Sequence, residues 1–330
     1  MPTESPKVDI LMATYNGEKY IHEQIASLQC QTYTNWNLLV CDDGSTDGTL
    51  SIIGKLQKID DRIKIVARDA GFHSSAGNFL SLLKQSEAPY VMFCDQDDVW
   101  LEDKVEKSLD AMQEAEKSNA GFPVLVFTDS VVVDSSLGLL KPSFTAPMRY
   151  DPEKVSLMQS LFINVAQGSS MLMNRALVDV ARHLEKPEVF GQHDYWIAVI
   201  ARAIGVVVYS CVPTLLYRQH EENVIGATRP RKLGVFGRVT SIKNVLCSNG
   251  WKRVRGDLVK DGVVSPGLRA QFLLNEGLFL TEETKSQLEE IVAMKTGSVC
   301  SRLVALRKYK ILEGSTCYEK ANELFRILIC

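Results

Sequence analysis

The eleven residues Tyr90-Val91-Met92-Phe93-Cys94-Asp95-Gln96-Asp97-Asp98-Val99-Trp100 decide how the chain is read. An apolar run of strand length stops at three carboxylates within four residues. That is the pattern of a buried parallel strand delivering acid groups to its carboxyl-end rim. Carboxylates this close repel one another, so a cation is expected among them, and hard oxygen ligands beside a cleft suit Mg²⁺ or Mn²⁺ shared with a phosphate group. A plainer reading uses the same neighbourhood: Glu102 and Asp103 open the next helix, where acids complement the helix dipole. The surrounding chain decides between the two.

Upstream, Val8–Ala13 is a short apolar run ending in the polar turn Thr14-Tyr15-Asn16-Gly17. Ile21, Ile25 and Leu28 then recur at helical spacing. Trp36–Cys41 predicts a second strand, ending in Asp42-Asp43-Gly44-Ser45-Thr46-Asp47, where Ser45 or Asp47 is positioned to cap a helix carrying Leu50 and Ile53. Ile63–Ala67 predicts a third strand, with a helix near 78–85 after it. Four rounds of strand, turn and helix imply a doubly wound, mostly parallel α/β sheet. Such sheets bind ligands beyond their strand carboxyl ends, so the three polar turns should converge on one crevice. This convergence favours the metal reading over the helix-cap reading.

Neither G-x-G-x-x-G nor G-x-x-x-x-G-K-[ST] occurs, which removes the dehydrogenase and phosphate-loop ATPase readings. A site without a glycine cradle can still neutralise a diphosphate through a carboxylate-held metal.

Downstream, Val124–Phe127 and Val131–Val133 read as two strands around Thr128-Asp129, residues 137–160 as a partly helical excursion on the acceptor side of a cleft, and Ser169–Met173 as another strand. Asp194 falls in the first turn of a helix carrying Ile197, Ile200 and Ile204. It either complements the helix dipole or acts as a general base beside Tyr195 and Trp196, aromatic rings suited to a sugar. His193 is not read as a metal ligand. Strands at Val206–Tyr209 and Val212–Tyr217 lead into Arg218-Gln219-His220-Glu221-Glu222, either a solvated loop or a flap whose Arg218 or His220 reaches a diphosphate or metal.

The charge is unevenly placed: residues 1–226 hold 19 Lys and Arg against 30 Asp and Glu, a balance of −11, whereas 227–330 hold 18 against 10, a balance of +8. Two parts are therefore expected, a catalytic body over 1–226 and a helical, basic region over 227–330. Composition leaves the basic region free to meet nucleic acid, an anionic membrane or the acidic body. Its cluster Arg302, Arg307, Lys308 and Lys310 precedes an apolar stripe of Tyr318, Ala321, Phe325 and Leu328. That pairing suits either reversible membrane attachment or packing on protein, including a second copy of the chain. No spanning segment or secretory leader is read from the sequence, and the eight scattered cysteines read as reduced thiols, so a cytoplasmic location is expected.

The segments ATYNGEKYIHEQIASLQCQT, VCDDGSTDGT, FCDQDDVWLEDKV, TDSVVVD, GSSMLMN, HDYWIAVIA and YRQHEENVIG, in that order over residues 8–226, resemble the family 2 glycosyltransferases of the GT-A fold. Within that family they resemble the rhamnosyltransferase-like branch of bacterial surface-polysaccharide synthesis. The resemblance implies an inverting, metal-dependent transferase moving a sugar from dTDP-β-L-rhamnose, or else from a UDP-hexose, to a lipid-linked saccharide. It implies no nucleic-acid partner. Thr14, Tyr15 and Asn16 are implied to line the nucleotide site and Asp43 to bind the pyrimidine. Asp95-Gln96-Asp97 looks like the D-x-D element, with Asp97 the principal metal contact and Asp95 on the ribose or the metal shell. Asp194 matches the general base, although His193 stands where many members have Glu. The rivals are a nucleotidyltransferase, whose expected glycine-rich basic start is replaced here by ATYNGEKY, a paired-carboxylate glycosidase, which needs no pyrimidine site, and a non-catalytic binding protein of the same fold.

Overall fold

The computed structural model describes residues 5–67, 74–148, 150–183, 191–221, 266–294 and 299–311. Strand and helix alternate as expected through β1 (Val8–Thr14), α1 (Ile21–Gln29), β2 (Trp36–Asp42), α2 (Thr49–Gln57), β3 (Ile63–Ile65), α3 (Ser75–Gln85) and β4 (Tyr90–Cys94). These four strands pair in parallel in the order β3-β2-β1-β4. Next come β5 (Val99–Trp100), α4 (Lys104–Ser118), β6 (Val124–Asp134), β7 (Leu139–Lys141), α5 (Leu157–Ser160), β8 (Met171–Asn174), α6 (Arg175–Ala181), α7 (His193–Ile204) and β9 (Val206–Gln219). They complete a nine-stranded sheet in the order β3-β2-β1-β4-β8-β6-β9-β5, with β7 on β6. Three further helices follow, α8 (Pro266–Asn275), α9 (Glu282–Ala293) and α10 (Val299–Lys308).

Apolar alternation along the strands builds a core on each face of this sheet. Ile10, Met12, Leu38, Val40 and Met92 meet Ile21, Ile25, Leu28, Val105 and Leu109 on one side. Leu11, Leu39 and Phe93 meet Phe79, Trp196, Ile197 and Ile200 on the other. Both faces are covered, which is why the strands read as continuous apolar runs. Thr14 pairs with Asp42 and Met12 with Cys94, so β1, β2 and β4 end on one rim. That rim carries the candidate site.

The sheet is mostly parallel, as expected, with β8 running antiparallel to both β4 and β6, but other expectations differ. Each pair of short strands around Thr128-Asp129 and around Ser210–Val212 is a single bent strand, β6 and β9; the register shifts there instead of ending. A polar residue at a bulge resembles a strand end in sequence. The α2 cap is Gly48, not Ser45 or Asp47, although Asp47 Oδ1 does accept the Thr49 N–H at 3.0 Å. Arg218 and Gln219 belong to β9 rather than to a flap. In the basic region, Ala270, Leu273, Leu288, Ile291, Leu306 and Ile311 join the same core as Phe79 and Trp196, so the described C-terminal helices pack on the catalytic body. The boundary proposed at 226 and the Tyr318–Leu328 stripe lie outside the described residues.

His193 shows how tightly that core is built. Its ring stacks on Phe79 at 3.9 Å and meets Phe93 edge-on at 4.8 Å. Neither ring nitrogen has a hydrogen-bond partner, and burial drives its pKa from 6.5 down to about 3. The folded chain therefore holds His193 neutral while the unfolded chain protonates it below pH 6.5, so its contribution to stability is complete above 6.5 and is lost as pH falls toward 3. The slope is at most about 1.4 kcal/mol per pH unit. His193→Leu should flatten this component: the stability difference between wild type and variant, measured by urea unfolding from pH 7.5 to 4.5, should shift in the variant's favour as pH falls. A difference independent of pH would contradict the buried neutral ring.

Candidate active site

The turns at the carboxyl ends of β1 and β2 are laced together by hydrogen bonds. Thr14 Oγ1 donates to Asp42 Oδ2 at 2.8 Å, and Asp42 Oδ1 accepts the N–H groups of Gly44 and Ser45 at 2.9 and 2.7 Å. Asp42 is thus consumed by its own turn. Its neighbour Asp43 is half-buried on the rim, its N–H held by Thr14 O at 2.8 Å. Asn16 adopts φ +48°, which asparagine tolerates better than most residues, with its N–H on Ser45 Oγ at 2.9 Å and its Oδ1 accepting the Thr46 N–H at 2.8 Å. Tyr15 is 56% exposed beside it.

Gln96 ties this turn to the acidic strand end. Its Oε1 accepts the Tyr15 N–H and its Nε2 donates to Tyr15 O, each at 3.0 Å. A Cβ on Gly17 would stand 2.3 Å from Gln96 Oε1, so glycine is what lets the amide lie flat against the turn.

Beyond β4 the carboxylates gather. Burial, then the charges of Asp97 and Asp194, lifts the Asp95 pKa to about 7. Asp98 is wholly buried and accepts the Arg218 N–H at 3.0 Å. Asp97 Oδ2 lies 2.7 Å from His220 Nε2, and the His220 ring stacks on Tyr20 at 4.8 Å. Arg218 supports the group from behind: its guanidinium donates to Asp97 O at 2.7 Å, to Ser135 O at 2.9 Å and to Glu23, and lies over Tyr20. At 2% exposure its side chain sits beneath the Asp97 backbone rather than in the cleft, which corrects its expected place on the diphosphate. Lys104 is also wholly buried, donating to Thr214 Oγ1 at 3.1 Å, and burial lowers its pKa to about 7.

Asp194 opens α7 on the other side of the crevice. Its Oδ1 accepts the Tyr195 N–H at 2.6 Å, and burial lifts its pKa to about 6 against the opposing hydrogen bonds of Tyr195 and Gly168 N–H. Gly168 is packed closely here, since a Cβ on it would meet Asp194 Cβ at 3.3 Å and His193 Nε2 at 2.6 Å. Trp196 lies in the core at 1% exposure, which corrects its expected place on the sugar. Tyr195 is held from outside: Arg269 of α8 covers its ring at 4.0 Å and donates to its hydroxyl at 2.6 Å and to Leu161 O at 2.7 Å.

Asp95 therefore feels both Asp97 and Asp194, while Thr14, Tyr15, Asn16 and Gln96 form one hydrogen-bonded wall with Asp43 at its edge. Gly168, whose place rests on close packing, and Arg269, which reaches Tyr195 from a distant helix, were not singled out from sequence. Among the described residues no three His, Cys, Asp or Glu side chains close a cage. Asp97 and His220 lie together, a carboxylate oxygen and an imidazole, and the repulsion that Asp97 exerts on Asp95 is what a cation beside them would relieve. That donor set fits Mg²⁺ or Mn²⁺, which commonly keep phosphate oxygens and waters as their remaining ligands.

A mostly parallel sheet whose carboxyl rim joins a laced polar turn to an acidic strand end is the arrangement of a GT-A glycosyltransferase. The Glycosyl transferase family 2 profile matches residues 9–177, and the chain belongs to that family. It is 27% identical over 261 residues to the dTDP-rhamnosyl transferase RfbG of Shigella flexneri, covering 73% of this chain and 86% of that one. To the UDP-Glc:alpha-D-GlcNAc-diphosphoundecaprenol beta-1,3-glucosyltransferase WfgD of Escherichia coli it is 37% identical over 115 residues, 35% of this chain and 43% of that one. In fold it is similar to S. aureus TarS 1-349 in complex with UDP-GlcNAc, with TM-score 0.54 and 16% identity over 97% of this chain and 89% of that one.

The Gln96 latch leads to a direct expectation. Gln96→Ala removes two hydrogen bonds that hold the Tyr15 turn and should weaken UDP or dTDP binding roughly 5–30-fold, the factor that corresponds to one or two kcal/mol. Isothermal calorimetry on a variant with wild-type thermal stability checks this. Unchanged affinity would mean the turn holds its shape without the latch.

Proposed function

We propose that the chain is an inverting glycosyltransferase that moves L-rhamnose from dTDP-β-L-rhamnose to a hydroxyl of a lipid-linked polysaccharide precursor. The observation that supports the reaction is the closeness of Asp194, at the start of α7, to the acidic end of β4, where Asp95 carries the charge of both Asp97 and Asp194. The rhamnosyl donor is supported by the similarity to RfbG, which extends over most of both chains. A UDP-hexose donor is the second reading, favoured by the higher but shorter identity to WfgD.

The wall made by Thr14, Tyr15, Asn16 and Gln96 receives the nucleotide, and Asp43 hydrogen-bonds the pyrimidine. Asp97, with Asp95 and His220, holds Mg²⁺ or Mn²⁺, which when bound supplies neutralising charge to the departing diphosphate. Arg218 acts through Asp97, fixing the backbone that presents it. Asp194 takes the proton of the acceptor hydroxyl as that oxygen bonds to the anomeric carbon and the bond from that carbon to the diphosphate oxygen breaks. A single displacement inverts the anomeric centre. The acceptor's lipid brings the enzyme to a membrane, where the basic C-terminal region meets anionic headgroups; no helix among the described residues is long and apolar enough to span.

A screen of nucleotide-sugars with Mg²⁺ or Mn²⁺, reading nucleoside diphosphate release and product stereochemistry, tests the whole reading. Transfer should vanish in EDTA and fall strongly in Asp97→Asn; full activity in EDTA would refute the metal. Asp194→Asn should keep donor binding and lose two or more orders of magnitude in turnover, about what a positioned base contributes. Because Asp194 works deprotonated and burial places its pKa near 6, turnover should fall as pH drops below about 6, and a cation at Asp97 would draw that limb lower. Use of UDP-glucose with dTDP-rhamnose ignored would select the second reading.

A further inference from the structure

A cavity of about 540 Å³ lies where β6 and β9 bulge, lined also by residues from 142–148 and 150–152. Thr128 pairs with Ser210, yet Asp129 pairs with Pro213, so β9 carries Cys211 and Val212 as two extra residues. Such a bulge re-aims side chains at a rim. The cavity is lined by Asp129, Ser143, Thr145, Tyr209, Cys211 and Pro213, among others. Asp129 builds its wall: Oδ1 accepts the N–H groups of Ser130, Phe144 and Thr145 at 2.8, 3.1 and 3.1 Å, and Oδ2 accepts the Ser143 hydroxyl. The Thr145 and Tyr209 hydroxyls stand 2.6 Å apart. Three hydroxyls are thereby fixed on one wall before any ligand enters.

The strand register places this wall relative to the reacting groups. Val91, Met173 and Leu125 lie abreast on β4, β8 and β6. Asp95 and Asp129 are each four residues further along strands that run the same way, with one chain between them. Two strand spacings separate them, about 10 Å. Ser130 Oγ donates to Gln167 Oε1 at 2.8 Å, and the next residue, Gly168, is the one pressed against Asp194. The cavity wall and the candidate base are therefore joined through Gln167 and Gly168.

We propose that this cavity is the acceptor subsite and takes a neutral sugar ring of the acceptor saccharide, an inference that rests on the glycosyltransferase reading above. Hydroxyls of Ser143, Thr145 and Tyr209 meet the polar edge of a pyranose, while Pro142, Pro152 and Pro213 meet its C–H face. The volume falls within the range of about 300–1,000 Å³ typical of small-ligand sites. The described lining contains two carboxylates, Asp129, whose oxygens are taken up by the wall itself, and Asp151, which is paired with Lys154 at 2.6 Å, so its free polar groups are neutral hydroxyls suited to an uncharged sugar.

Cys211 provides the test, being an exposed free thiol on the cavity wall. Octyl glycosides of glucose, galactose, rhamnose, N-acetylglucosamine and glucuronic acid are titrated as acceptors with wild type, Cys211→Ser and Cys211→Trp, all checked for equal thermal stability. Cys211→Trp fills the cavity and should raise the KM of the best acceptor roughly tenfold or more. Donor KM and slow donor hydrolysis should match in all three. Tyr209→Phe should raise the acceptor KM without moving the donor KM. An unchanged acceptor KM in Cys211→Trp, acceptance of the glucuronide alone, or donor hydrolysis with no glycoside accepted would each overturn the assignment. Absence of both transfer and donor hydrolysis with every glycoside in wild type would instead strike the glycosyltransferase reading itself.

Discussion

Like-charge repulsion at the end of β4 is the constraint around which the rest is arranged. Asp95, Asp97 and Asp98 cannot be moved apart, because the strand delivers them within four residues, and Asp194 approaches from α7. The fold answers with supports of different kinds. Asp98 is taken inside and given the Arg218 N–H, with Lys104 buried close by. Asp97 has its backbone oxygen held by Arg218 and its carboxylate by His220. Asp95 is raised by burial and by the charges of Asp97 and Asp194, a repulsion that the proposed cation would relieve.

Much of this was legible in sequence because the signals are local. Apolar runs ending in polar turns gave β1, β2 and β4 with their common rim, and Ile21, Ile25 and Leu28, all at 0% exposure, gave the buried face of α1. What failed depended on tertiary context. Trp196 and Arg218 look like ligand groups on a line of text, yet the tryptophan faces the core and the arginine is folded under Asp97. Whether a side chain at a rim points in or out follows from the register of neighbouring strands, which no short window contains. The bulge at Cys211-Val212 was likewise hidden, since a polar break and a strand end share one composition.

The uneven charge of the chain suggested an acidic body and a basic region, and the described helices of that region pack on the body. Ala270, Leu273, Leu288 and Leu306 share a core with Phe79 and Trp196, and hydrogen bonds reach back from Tyr150 OH to Ile311 O and from Gln159 Nε2 to Lys310 O. Part of the basic cluster is engaged as well, with Lys308 on Glu290. An exposed pair of this kind contributes little stability, so the attachment of these helices rests mainly on their buried apolar side chains.

Arg269 makes that attachment matter for chemistry. A guanidinium at 8% exposure is costly to bury without partners, and its partners here are Leu161 O and the hydroxyl and ring of Tyr195. Tyr195 in turn gives its N–H to Asp194. The α7 start that presents the candidate base is therefore clamped between Gly168, where no side chain fits, and a helix from a distant part of the sequence. A carboxylate acting as a base needs its oxygens held within a few tenths of an ångström of the acceptor hydroxyl, and a free helix terminus frays. Contacts on both sides remove that freedom, so the described C-terminal helices help fix the α7 start that carries Asp194.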